Sequence, residues 1–202
     1  MKPILLSLVA FLTLFASVSH AEETSELERA IRELPPRFVA DIPIATRDAL
    51  FERIQRDLDT HLDLKNGFVH FFSDNSRDGI GATSMLYMRQ FPRVDGGFVI
   101  LTHMPKPFAD GSTPRANQTF VFERRKDRWK DVTDEVFPRG VDRTAHFRPR
   151  RTSKVVEVAP YVSVKRQDGK GDAWQFGPRT AELHWNGEVF LKREPTKAVS
   201  KE

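Results

Sequence analysis

No cysteine occurs anywhere in this chain. That excludes a disulfide framework, a thiolate nucleophile and any cysteine-ligated zinc site. Beyond residue 18 no hydrophobic run approaches the ~20 residues that a membrane-spanning helix needs. Nucleotide chemistry is unsupported, because no Gly-x-Gly-x-x-Gly precedes a helix pattern and no Gly-Lys-Ser/Thr phosphate loop is present. There is no Gly-x-Ser-x-Gly, and the histidines fall in neither His-x-His nor His-Glu-x-x-His spacing. The residues therefore name no cofactor, no metal and no reaction.

What is present begins with an export signal. Lys2 precedes an apolar run from Ile4 to Val18, and Ser19-His20-Ala21 places small residues three and one before a cut. Acidic Glu22-Glu23 follow, where a stop-transfer flank would be basic. Residues 1–21 are thus expected to be removed, with a periplasmic or secreted destination and no transmembrane segment afterwards. With no cysteine behind the run, lipoprotein anchoring is excluded. Stability of the mature chain then rests on packing, to which 14 of the chain's 16 Phe and all 3 Trp supply the bulk.

Residues 22–34 pattern as a helix, with Ser25-x-x-Glu28 as a capping box and Leu27, Ile31 and Leu34 on one face before Pro35-Pro36. A second helix is expected from Thr46 through Leu62, its apolar face formed by Ala49, Leu50, Ile54 and Leu58 and extended by His61, and its solvated face including Arg47. From Asn66-Gly67 the period changes to that of strands: Phe68–Ser73, Ala82–Phe91, Phe98–His103, Gln118–Arg125, Arg128–Thr133, Val155–Val158, Tyr161–Arg166 and Trp174–Phe176. Asn186-Gly187 reads as a two-residue type I′ turn, which would set Trp185 opposite Glu188 and Leu183 opposite Phe190. The segment Arg139–Arg151 has no clean period.

The fold class expected is α+β, with two N-terminal helices packed on a mostly antiparallel, hairpin-rich sheet or two-layer β structure. The division expected is a helical segment over 22–65, a β-rich domain over 66–194 and a polar tail over 195–202.

Candidate chemistry is sparse. The loop Asp74–Gly79 spaces oxygen ligands as calcium loops do, but Met85 stands where the closing carboxylate is required and Arg77 adds a cation, so an ordinary turn is the better reading. His70 and His103 lie on neighbouring apolar strands that would bring them together. Either of them with Asp74 would make the dispersed His/carboxylate site of a small hydrolase. Asp131, Asp134 and Glu135 cluster, yet nothing marks two of them as a glycosidase pair.

Charge distribution is more telling. Arg139, Arg143, Arg148, Arg150, Arg151 and Lys154 stand against Asp142 alone, a local net of +5, while the rest of the mature chain has 25 basic and 27 acidic residues. Guanidinium forks match phosphate and carboxylate groups. The ligand-binding residues expected are therefore Arg139, Arg143, His146, Arg148, Arg150, Arg151 and Lys154, helped by exposed aromatics. Such a segment would serve a protein partner, or an anionic polymer or lipid of the envelope, in a non-catalytic binding module. No nucleic-acid recognition motif accompanies it. The alternative is that these arginines pair with acids on neighbouring strands.

Overall fold

The structure, a computed structural model, describes residues 25–39, 44–47, 61–73, 84–105, 118–143, 145–165 and 172–196. The expected signal segment, the Asp74–Gly79 loop and most of the expected second helix lie outside them. Among the described residues no helix is long and apolar enough to cross a membrane.

Antiparallel β-sheet dominates. Strands β1 (His61–Asp63), β2 (Phe68–Ser73), β3 (Ser84–Pro92), β4 (Phe98–Met104), β5 (Gln118–Arg125) and β6 (Arg128–Asp131) form one sheet in chain order, each paired with the next. Helix α1 (Glu26–Glu33) packs on its outer face, and the single-turn helix α2 (Thr133–Val136) follows β6. A second sheet has the order β12-β11-β8-β7, from β7 (His146–Pro149), β8 (Val155–Ala159), β11 (Ala181–Trp185) and β12 (Phe190–Arg193). Between β8 and β11 the chain makes a separate hairpin of β9 (Tyr161–Lys165) and β10 (Asp172–Phe176).

The alternation along β3 and β4 explains the layering. Leu86, Met88 and Ile100 point outward to meet Leu27 and Ile31 of α1 and Leu34 at its C-cap, while Phe91, Val99 and Leu101 point inward to meet Phe147, Val156, Leu183 and Phe190 of the second sheet. The six-stranded sheet is thus apolar on both faces, as its long hydrophobic runs require. Burying one such leucine or phenylalanine contributes about 1.5–3 kcal/mol.

Helix α1 is capped as expected, with Ser25 Oγ accepting from the Glu28 N–H at 3.1 Å. Its C-terminus is held in a way the sequence did not suggest. Arg47, expected on a solvated helix face, is buried, and its Nη1 donates to the carbonyls of Ile31 (2.6 Å), Arg32 (3.1 Å) and Leu34 (2.5 Å). A cation at this end satisfies orphan carbonyls and opposes the negative pole of the helix. The expected second helix ran through Leu62, but His61–Asp63 is strand β1, so two N-terminal helices are not supported.

The last hairpin keeps its faces but not its register. Trp185 pairs with Phe190 and Leu183 with Lys192, around a four-residue loop. The reason is Asn186, whose Oδ1 accepts from the backbone N–H of both Glu188 and Val189, each at 2.8 Å. That side-chain bridge holds a wider turn in which only Gly187 has positive φ (107°). A slip of two residues leaves each side chain on its own face, so Trp185 and Phe190 still enter the core.

Candidate functional site

Register carries the site. One row crosses the inner face of the first sheet as His70, Tyr87, His103 and Thr119 on β2 to β5. The next row carries Asp63, Phe68, Arg89, Leu101 and Val121. His70 and His103 are therefore not adjacent: Tyr87 stands between them, stacked on His70 with ring centroids 4.4 Å apart.

Strand β7 is the edge of the second sheet, and its unpaired side abuts these rows. The Phe147 N–H donates to His103 Nε2 at 3.2 Å, and His146 Nδ1 lies 3.0 Å from the same nitrogen. Because a backbone N–H can only donate, His103 Nε2 carries a lone pair and the His103 hydrogen sits on Nδ1, donating to Thr119 Oγ1 at 2.8 Å. His146 must then hold its hydrogen on Nδ1, which leaves Nε2 as a bare acceptor, buried without a hydrogen-bond partner. Burial and the neighbouring His146 push the His103 imidazole well below its ordinary range. Burial, Arg148 and His70 push His146 down to about 3. Both rings are neutral at pH 7.

Aromatic rings close over His146. Phe176 of β10 stacks on it at 3.7 Å, while Tyr87 and Tyr161 meet it edge-on at 5.6 and 6.0 Å. Phe176 remains 45% exposed, so one face of this stack belongs to the surface. Among the described residues the hairpin β9–β10 pairs with neither sheet and is held here by this aromatic packing, while the Gly177 N–H bond to the Pro160 carbonyl closes the hairpin's own base.

At its far end the same segment reaches β1. Arg151 Nε donates to Asp63 Oδ2 at 2.6 Å, and Asn66 donates to both oxygens of that carboxylate. Asn66 and Arg151 hold the Asp63 carboxyl down at about 2. Residues 146–151 thus run across the inner face from His103 on β4 to Asp63 on β1. Arg148 lies between these anchors; its charge acts on both His146 and Tyr87, where burial nonetheless keeps the Tyr87 phenol above its ordinary range.

The expected ligand-binding residues separate into two groups. His146, Arg148 and Arg151 are brought together on the inner face of the first sheet. Arg143 is drawn away to Asp134 (2.7 Å) and the Phe137 ring (4.9 Å). Arg150 turns to the outer face of the second sheet, where Glu157 and Glu182 stand opposite each other in register. There Arg150 contacts both carboxylates at 3.0 and 2.8 Å, and Arg179 does the same at 3.0 and 3.1 Å. Glu182 is fully buried; desolvation raises its pKa, but bonds from His184 and Thr196 and the charge of Arg150 more than offset this, so it stays low. Arg139, Arg148 and Lys154 are exposed and make no ion pair among the described residues.

Residues not anticipated complete the site. Tyr87 and Arg89 sit on β3 and Asp63 on β1, strands whose juxtaposition across β2 only the register reveals. One signal was available for Arg89: it falls between Tyr87 and Phe91 at period two, on a strand apolar on both faces. The carboxylates singled out earlier are engaged elsewhere, with Asp131 accepting from Thr133 at the start of α2 and Glu135 paired with Lys130. Among the described residues no group of three or more histidines and acids is placed to hold a metal ion. Comparison with family models, with curated proteins and with solved structures finds no match to this chain.

Proposed function

We propose that the mature chain is an exported, non-catalytic module that binds an anionic component of the cell envelope through the face formed by β7 and the β9–β10 hairpin. The observation that carries this reading is the position of Arg148. It is exposed on β7 and makes no ion pair among the described residues, although Glu157, already bridged by Arg150 and Arg179, stands opposite it in register. It lies two residues from His146 and therefore on the same side of the strand as the Phe176 stack. Arg143, Arg150 and Arg151 are each neutralised by a carboxylate. An unpaired guanidinium beside an exposed ring offers both charge and a flat apolar surface to an anionic ligand.

Co-sedimentation of the mature chain with vesicles containing phosphatidylglycerol tests the reading. Binding should weaken as salt rises from 0.05 to 0.5 M and be lost in Arg148→Glu, while Arg143→Glu binds as the parent does. Absence of parent binding, or an Arg148→Glu variant that binds normally, would sink it.

A further inference from the structure

Arg89 is a charge without an accounted counterpart. Its side chain lies on the inner face of β3, 8% exposed, and its Nε and Nη1 are buried with no hydrogen-bond partner among the described residues. The nearest compensation is weak: the guanidinium carbon lies 5.8 Å from the centre of the Phe91 ring. Asp63, in the same cross-strand row, is the one carboxylate among the described residues whose charge acts on Arg89. That carboxylate is already committed, with one oxygen bonded to the Asn66 N–H and the other to Asn66 Nδ2 and Arg151 Nε. A buried cation whose donors lack acceptors costs several kcal/mol, so a fold that keeps one either binds something there or bears a standing penalty.

We propose that Arg89 and Arg151, with Arg148 at the rim, form a binding pocket for a phosphate monoester group. The pocket rests on the same basic face as the function proposed above, but it adds a buried element that a surface patch lacks. Its charge count selects the ligand. Arg89, Arg148 and Arg151 against Asp63 leave two positive charges uncompensated. A carboxylate would offset one of them, whereas a phosphate monoester carries about −1.5 to −2 at pH 7 and has three acceptor oxygens. Arg89 supplies donors from the floor of the pocket. Arg151 is 57% exposed along its side chain and swings on a flexible stem, so it turns one edge to the anion while Nε stays on Asp63. The group enters between β7 and β1, where residues 146–151 cross the sheet.

The test follows the Arg89 Nε–H resonance of the mature chain by NMR during titration with inorganic phosphate, with acetate as control. Phosphate should move the resonance saturably and acetate should not. Arg89→Lys should weaken binding at least ~10-fold, since a point charge cannot replace the planar donor set. Arg89→Met should abolish it while leaving the melting temperature equal or higher, because an unpaired buried charge has been removed. A parallel arm uses vesicles carrying phosphatidic acid, whose headgroup is a monoester, beside phosphatidylglycerol, whose headgroup is a diester. An Arg89-dependent preference for phosphatidic acid identifies the source as lipid, and a response to phosphate alone identifies a soluble one. No saturable response in either arm, or binding that survives Arg89→Met, overturns the pocket. Vesicle association through Arg148 that persists in Arg89→Met leaves the surface reading standing without the pocket. Phosphate binding that persists when the parent fails to bind phosphatidylglycerol does the reverse.

Discussion

His146 Nδ1 and the Phe147 N–H converge on a single atom, Nε2 of His103, at 3.0 and 3.2 Å. Neighbouring residues of the edge strand thereby fix the tautomers of two imidazoles, because the backbone donor has no alternative role. The expected nitrogen NMR spectrum shows both rings neutral with hydrogen on Nδ1, and neither titrating between pH 5 and 8. A protonated Nε2 on His103 would contradict the arrangement.

The same pair sets the acid response. An unfolded histidine takes up its proton near pH 6.5, but folded His146 does so only near 3, and His103 is lowered in the same direction. Below pH 6.5 the unfolded state therefore binds more protons, and acid favours unfolding. Asp63 works in the same sense at lower pH, since its folded value of about 2 lies below its ordinary 3.8. Urea denaturation should show full stability above pH 7 and a loss approaching about 1.4 kcal/mol per pH unit for each buried histidine as pH falls below 6.5. A flat profile between pH 7 and 4.5 would mean that the rings are already accessible to protons.

Thr119 is the end of this chain of bonds. Thr119→Val keeps the shape but strands the His103 Nδ1–H in the core, which costs about 1–3 kcal/mol. Thr119→Ser retains the acceptor and should recover most of that loss. Equal stability of the valine and serine variants would remove the hydrogen bond from the account.

On the outer face of the second sheet, Glu157 and Glu182 would repel each other across strands without the arginines that bridge them. Arg150→Met should destabilise the domain by about 1–3 kcal/mol. Adding Glu157→Gln should restore part of that, a coupling that a double-mutant cycle reads directly.

Gly187 is held by its surroundings as well as by its dihedral. A Cβ there would come within 2.5 Å of Val94 Cγ1, and its φ of 107° disfavours any other residue. Gly187→Ala should lower stability by more than about 1 kcal/mol, partly rescued by Val94→Ala. An alanine variant as stable as the parent would show that the loop moves away freely.

Much of the strand layout was legible because the residues alternate and glycines mark the turns. Strands β2, β3 and β4 fall within two residues of their expected limits, and Trp185 and Phe190 share a face as read. The final turn was not legible, since the Asn186 side chain bonds two backbone groups that a two-residue loop would not present. Strand β7 escaped notice because four residues, ending in proline, are too few to establish a period. Arg47 was misread for a different reason: its partners are carbonyls of α1, and a sequence does not display the orphan acceptors of a distant helix end. The site follows the same logic. His146, Arg148 and Arg151 were visible as local composition, whereas Arg89 and Asp63 join them only through pairings among β1, β2 and β3.

The chain-order pairing of β1 to β6 implies a sequence of assembly. Each of those strands finds its partner already made and close in sequence, whereas β8 must wait for β11 beyond the β9–β10 excursion. Contacts between neighbours form faster than those that close long loops. By that rule the six-stranded sheet and the β7–β8 hairpin, which carries the arginine segment, are each expected to form locally, with the β8–β11 pairing expected to join last. The inner rows of His70, Tyr87 and Arg89 then have their widest opening before Trp185 bonds the Lys154 carbonyl and closes the second sheet.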